Sequence, residues 1–510
     1  MFKYLLIIAL LLQFFTVPQD RYYPAQYIAK LYTEALSRTP DQAGYFGYAQ
    51  YLQRKGCNSF NVQVVGSQIL NSTEFNSFNL NNDAKVLILY RSLLNREPET
   101  DEFSIILDTI NTKGWQAAVD KFLKSKEFLA KIPTICGKGN DKNRLARYGW
   151  SKTATYILQP KSEGFSGNEE QLRSLIRFLP VGSTFWLAQQ HTIFLTRPLV
   201  VNKGITLQTV GNPKHYAEKA RFVRANNFSG SGEPMLRLEN ATLKDVWVDG
   251  DGHRLPYNVW DINVQTVKND NIVENCKVEN SAGFSNIQAL GLLEGFACNS
   301  AVIKNNLITG YTSDNFPNAK TFMPWVDGIT VSCENSNIEG NQIVDTSDVA
   351  IVVFNPVSGG RQNSVVRNNT IFNAGNSIFA AINTDHIFAH DGRDFSGVLI
   401  DSNLLWTSNF STMRTGLSVG SGLWSQLEAG GYGFGAQFIN NTTGIGFIKA
   451  QYGILIHGMR NATVLNNKLN VKLNPIYCGK KGVFAGIDTA VEAFNTNLDF
   501  NYKVDNYRCQ

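Results

Sequence analysis

The sequence predicts a mainly β fold: a parallel β-solenoid behind an all-α N-terminal module. Three observations carry that expectation. The first is a recurring phrase in which an aliphatic residue is followed by Asn three places on and by another aliphatic two places later. It reads Ile303-Asn306-Ile308, Ile338-Asn341-Ile343, Val366-Asn369-Ile371, Ile400-Asn403-Leu405 and Val464-Asn467-Leu469, after the degenerate copies Leu243-Val246-Val248 and Val273-Cys276-Val278. The second is its period. Successive copies start 30, 30, 35, 28, 34 and 64 residues apart, the last gap leaving room for one missed copy. A period of that size marks stacked coils. The third is an unrelated duplication within residues 27–130, whose apolar spacing is helical.

Two aliphatics around one polar position suit two short strands meeting at a sharp bend. Asn tolerates the left-handed backbone that such a bend needs. Asn side chains at equivalent bends of stacked coils can also hydrogen-bond to one another, as amide ladders do in other stacked strands. In this respect residues from about 160 to 510 resemble the right-handed parallel β-helix of the pectate-lyase-like superfamily, a single-stranded solenoid with Asn at that bend. The resemblance implies roughly ten coils, a rod on the order of 50 Å long at the spacing of stacked strands.

Taken in order, residues 1–19 read as a signal peptide, with Lys3 ahead of the apolar run Leu5 to Phe15. Nothing later is long and apolar enough to span a bilayer, so the mature chain is expected outside the cell. Residues 20–137 form the duplicated helical module. Leu31, Tyr32, Leu36, Arg38, Pro40 and Asp41 recur as Leu89, Tyr90, Leu94, Arg96, Pro98 and Glu99, and Lys55-Gly56 as Lys113-Gly114, all offset by 58. Ser72, Glu74 and Phe75 recur as Ser125, Glu127 and Phe128, offset by 53. The unit resembles a small helical module of unknown function found in secreted and surface bacterial proteins, which implies attachment, spacing or self-association. Arg38 and Arg96 are expected to bridge within the bundle.

Residues 138–161 are a polar linker, and 162–510 the solenoid with its caps. Leu172, Leu175, Ile176 and Leu179 give the stretch Glu169 to Leu179 one apolar side, as a cap helix needs. Strands are expected at Thr184–Leu187, Ile193–Leu195 and Leu199–Val201. At the far end Ile487, Ala490, Val491 and Phe494 are spaced for a closing helix. Caps protect open coil ends from edge-to-edge pairing.

Seven cysteines suit an oxidising compartment. Cys57 with Cys136 would close the module and Cys478 with Cys509 would pin the tail. Cys276, Cys298 and Cys333 fall on neighbouring coils, so at most two of them pair. Eight glycosylation sequons begin at Asn71, Asn227, Asn240, Asn368, Asn409, Asn440, Asn441 and Asn461, a number an Asn-rich chain can reach by composition alone. Net charge is +5, from 47 basic and 42 acidic residues without a basic run, which excludes nucleic acid as the expected partner.

Chemistry on stacked coils lives where outward side chains align, a geometry suited to a linear extracellular polysaccharide. If the segments Val326–Val331, Asp348–Val353 and Asn376–Ala381 pair so that their polar entry residues meet, Asp327, Asp348 and Asn376 form a column at the strand entry, with Asn355 and Asp385 near the exit. Neighbours in a column lie about 5 Å apart, near the separation of a retaining carboxylate pair. Asp327 and Asp348 would then share a proton or a metal cation, their pKa values pushed apart. The resemblance implies calcium as that cation. Asp-Gly before a strand is equally ordinary turn chemistry.

Asn383-Thr384-Asp385 resembles the first signature of polygalacturonase-type glycoside hydrolases. The Asp-Asp, Gly-His-Gly and Arg-x-Lys signatures are missing, His457-Gly458 with Arg460 being a distant echo, and the pectate lyase signatures are absent too. The catalytic candidates are Asp327, Asp348, Asp385 and His386. Trp325, His390, Asp391, Arg393, Tyr452, His457 and Arg460 are candidates for holding the glycan, with Trp260, Tyr311 and Trp424 as further stacking rings. Seven glycines within 416–435 lack a following Lys-Ser/Thr, so they suit a rim loop rather than a phosphate cradle. The expectation is a secreted protein that engages extracellular polysaccharide, by lyase or hydrolase chemistry on uronic-acid-containing glycans. The alternatives are a non-catalytic adhesion rod and a uronate epimerase.

Overall fold

The computed structural model describes residues 23–137, 158–230, 232–251, 261–290, 298–310, 326–355, 361–375, 377–385, 393–420, 433–457, 459–473, 491–494 and 498–500. The expected signal peptide, most of the expected linker and the Cys478 and Cys509 positions lie outside them.

Each coil runs through three short strands, and every strand pairs in parallel with its equivalents above and below. Sheet one starts at Leu199–Asn202 and includes Ser285–Ala289, Asp327–Val331, Val349–Phe354, Ser377–Asp385 and Ile448–His457. Sheet two starts at Thr184–Leu187. Sheet three stacks eight strands, from Thr192–Leu195 to Leu404–Thr407, without a register break. Inward positions repeat coil upon coil: Val273, Ile303, Ile338, Val366, Ile400 and Phe438 form one buried column. Phe438 opens the missed copy of the repeat, hidden because Phe438 and Thr443 replace both aliphatics.

The bend between sheets two and three carries the amide ladder. Asn306, Asn341, Asn369, Asn403 and Asn441 each donate from Nδ2 to Oδ1 of the next, at 2.9, 3.0, 2.9, 2.9 and 2.7 Å, ending on Asn467. Each Oδ1 also accepts the backbone N–H of the preceding ladder residue, at 3.1 Å from Asn306 to Asn341. The left-handed conformation belongs to the residue before, Asn305, Gly340, Asn368, Ser402, Asn440 and Asn466, with φ between 54° and 66°. The bend thus divides two tasks that the sequence suggests for one Asn. Asn441 is fully buried in the ladder, so its sequon reflects the coil and not a glycan.

Sheet two shows solvent a charge ladder. Lys244, Glu274, Lys304, Glu339, Arg367 and Asp401 follow one another in register with alternating sign. Ion pairs join Lys304 to Glu274 at 3.3 Å and Arg367 to Glu339 at 3.0 Å. Stacked like charges would repel at this spacing, and alternation removes the repulsion.

The caps differ. Glu169–Phe178 is the expected helix, with Asn168 as N-cap and Leu172 and Ile176 on the core. At the other end Val491–Phe494 is a strand paired with Ile454–His457, a further rung of sheet one and not part of the expected closing helix, while Ile487 and Ala490 lie outside the described residues. Cys298 bonds to Cys333 across adjacent coils, leaving Cys276 as the buried free thiol among the described residues.

In the module, both copies use the same caps. Asp41 and Glu99 start the helices Gln42–Lys55 and Thr100–Lys113, which stop at Gly56 and Gly114 with φ of 84° and 83°. Ser72 and Ser125 cap the helices beginning Thr73 and Lys126. Arg38 grips Glu74 with two nitrogens, and Arg96 grips Glu127 likewise at 2.8 and 2.7 Å. Each guanidinium lies 4.9 Å from its own tyrosine ring, Tyr32 or Tyr90. The expected arginine bridges are therefore present in duplicate, and Cys57 bonds to Cys136.

The module packs directly against sheet three. Outward residues Trp247, Val344, Phe372 and Trp406 share one core with the helices. At the far coils Tyr45 meets Phe372 and Trp406 edge-on, with ring centroids 5.0 and 5.1 Å apart. At the near coils the contact is ionic. Arg91, on the π-helical turn Tyr90–Leu94, reaches Glu34 at 2.8 Å, Glu97 at 2.6 Å and Glu279 at 2.6 Å. Lys277 binds Glu34 at 3.0 Å and Glu279 at 3.2 Å, and Arg221 binds Asp249 at 2.6 Å. All of these side chains are buried.

Candidate functional site

Sheet one carries the acidic residues, and its register decides which of them meet. Strand pairing matches Ile329 with Ile351, so Asp327 falls opposite Val349 and not opposite Asp348. The expected carboxylate column is therefore out of step by one residue, which alternates faces in a strand. Asp348 lies one residue before its strand, where its backbone N–H bonds to Val326 O and its carbonyl accepts from Phe379 N, at 3.3 and 2.9 Å. Asn376 lies outside the described residues.

Asp327 opens its strand at 3% exposure. Its Oδ2 accepts from Thr330 Oγ1 at 2.7 Å and its Oδ1 from Val349 N at 3.1 Å. Thr330 in turn lies 3.1 Å from Ser285 Oγ. Burial raises the carboxyl pKa to about 7, the two hydrogen bonds only moderating the effect. The group can thus give or take a proton near neutral pH.

Beside it runs a polar column that the sequence pattern did not single out: Arg237, Gln265, Gln288 and Thr330, continuing to Val352 and Asn383. Gln265 Nε2 donates to Gln288 Oε1 at 2.9 Å, and Arg237 Nε to Gln265 Oε1 at 3.2 Å. The available signal was a polar residue directly after the inward aliphatics Leu236, Val264, Ile287 and Ile329.

Asp385 ends its strand fully buried, opposite Phe354 and accepting from Asn383 Nδ2 at 3.3 Å. The register continues from this corner through Gly420 to His457. Tyr452 is half-buried opposite Thr415, and its hydroxyl accepts from Gln451 Nε2 at 2.7 Å. Arg393 and Arg460 lie on sheet two, opposite Gly433 and Phe434. Sheet one therefore brings Asp327, Asp385, Tyr452 and His457 onto a single sheet, while the two arginines are on the next. Trp325, His386, His390 and Asp391 lie outside the described residues, as do Trp260, Tyr311 and Trp424.

A calcium ion at Asp327 and Asp348 finds little support in the donor set. Both Asp327 oxygens already accept hydrogen bonds, and calcium takes six to eight oxygen ligands. Among the described residues no group of three or more His, Cys, Asp or Glu side chains is arranged to hold a metal. Nor, among them, is any helix long and apolar enough to cross a membrane.

No family model matches the chain, and no curated protein matches it. Among solved structures it is similar to an alginate lyase from Paenibacillus sp. FPU-7, at 13% identity and TM-score 0.44, over 65% of this chain and 97% of that one. It is also similar to a mutant tailspike protein of E. coli bacteriophage HK620 in complex with a pentasaccharide. That match has 12% identity and TM-score 0.35, over 70% of this chain and 62% of the tailspike. An exopolygalacturonase from Thermotoga maritima follows at 10% identity and TM-score 0.27, over 66% and 95%. These are likenesses of overall course, and the assignment rests on the coils themselves. Three parallel sheets with an asparagine ladder at one bend make the solenoid a right-handed parallel β-helix.

Proposed function

We propose that this is an exported β-helix protein that engages extracellular polysaccharide on sheet one, with Asp327 as the proton-exchanging group. The observation that carries the reading is the Asp327 carboxyl itself, poised to about 7 beside the Arg237, Gln265, Gln288 and Thr330 column. General acid–base groups work best when their pKa lies near the operating pH. Amides and a guanidinium at coil spacing suit the hydroxyl and carboxylate groups of a uronic-acid-containing chain. The two disulfides are consistent with export to an oxidising compartment.

Incubation with a panel of uronic and neutral polysaccharides tests this, following unsaturated products and new reducing ends. Cleavage that is lost in Asp327→Asn, with the variant still folded, supports the reading. No cleavage and no binding across the panel defeats it.

A second reading, a non-catalytic rod, is favoured by one observation. Asp327, Asp348 and Asp385 are each no more than 8% exposed, so the acidic face is covered rather than open. Binding without turnover, unchanged in Asp327→Asn, would select that reading.

A further inference from the structure

The duplication within the module and the periodicity of the solenoid meet on one column of side chains. Arg221, Trp247, Lys277, Leu307 and Gln342 are successive outward residues of sheet three. Thr39 and Glu97 are equivalent residues of the two module copies, offset by 58, each just before a proline. Thr39 donates to Gln342 Oε1 from its backbone N at 2.6 Å and from Oγ1 at 2.9 Å. Glu97 lies 3.2 Å from Arg221. Four coil steps separate these two landings, about 19 Å at the spacing of stacked strands.

We infer that the helical module is an axial brace, its two repeat-equivalent loops gripping one column of sheet three at two heights so that module and solenoid unfold as one unit. The grip differs at its two ends. The near end is specified by charge: Arg91 and Lys277 are shared among Glu34, Glu97 and Glu279, and moving the module by one coil would leave buried ions unpaired. The far end is apolar, Tyr45 against Phe372 and Trp406, and gains strength without specifying position. Beyond it, Gln42 donates to Thr443 O at 2.8 Å and accepts from Ile445 N at 2.9 Å, extending the grip to later coils.

The test uses the full chain with a site-specific protease sequence, flanked by glycine and serine, inserted within residues 138–157. The module's disulfide joins Cys57 to Cys136, so cutting there leaves no covalent link through it. After native cleavage at neutral pH and physiological salt, the two pieces should elute together from a sizing column. Separation of the wild-type pieces would overturn the inference. Arg91→Met should release the module after cleavage. Should that variant not fold, Gln342→Leu, which removes one landing only, should speed dissociation of the cut complex at least tenfold. Unchanged dissociation in Gln342→Leu would also overturn it. In the uncut chain, hydrogen exchange of module and sheet-three amides should follow one opening event, and a tenfold faster opening of the module alone counts against the brace.

Discussion

Sheet three and sheet one both bury polar side chains on their outer faces, and the two faces resolve the cost in opposite ways. Against sheet three, burial alone would raise Glu34 of the docked module, but Arg91, Lys277 and Lys30 outweigh it and hold the carboxyl well below the usual range. On sheet one, Asp327 has hydroxyl and amide partners, and burial carries its carboxyl up to about 7. The same desolvation thus gives a permanent anion where cations are supplied and a titrating acid where they are not. The first arrangement suits a fixed contact and the second suits proton transfer.

The largest way to break the contrast is Lys277→Met. It leaves Glu34 and Glu279 short of a buried counter-ion and should cost about 3–5 kcal/mol in urea denaturation, as removal of one buried partner does. Next comes Asp327→Asn, which sharpens the other side. With a folded pKa of about 7 against 3.8 for the free group, the unfolded chain releases this proton first. Stability should therefore fall as pH rises from about 4 to 7 and level off above. At pH 8 the Asn variant should be more stable than the parent by roughly 4 kcal/mol, because each tenfold difference in proton affinity between the folded and unfolded chain is worth ~1.36 kcal/mol. Thermal melts across pH 4–8 check this, and a variant that keeps the parental slope would remove Asp327 as its source.

Asn369→Ala belongs to neither face and sets a baseline. It strands the Asn341 side-chain and backbone donors inside the bend and should cost about 2 kcal/mol in the same urea titration. The smallest effect is expected from Arg38→Ala. Its grip on Glu74 is partly solvated, 29% and 39% exposed, and such pairs are worth about 0–1 kcal/mol. A loss larger than that for Asn369→Ala would mean that the module's own bridges, and not its docking, dominate its stability.

The solenoid was legible because its signals are local. The repeat phrase places the inward aliphatics and, from Asn306 onward, the ladder asparagines, and the Asp41/Glu99 and Gly56/Gly114 caps make the duplication readable. The register of sheet one was not legible. The connection from Glu279 to Ser285 is short and that from Thr309 to Asp327 long, so the phrase cannot say where the next strand starts. Docking of the module was hidden for a different reason. Lys277 and Glu279 flank Val278 just as solvated strand residues would, and only Trp247 on the adjacent strand and Trp406 further along the sheet hinted at a covered face. A strand in the sequence shows which residues leave the core, and tertiary contacts alone show what they meet.

The charge ladder of sheet two sets a rule for how this architecture can change length. Signs along Lys244, Glu274, Lys304, Glu339, Arg367 and Asp401 repeat every second rung, whereas the asparagine ladder repeats every rung. Deleting one turn would therefore leave the amides matched but bring two like ions side by side, and deleting two would disturb neither. Growth or shrinkage of such a chain is least costly in steps of two.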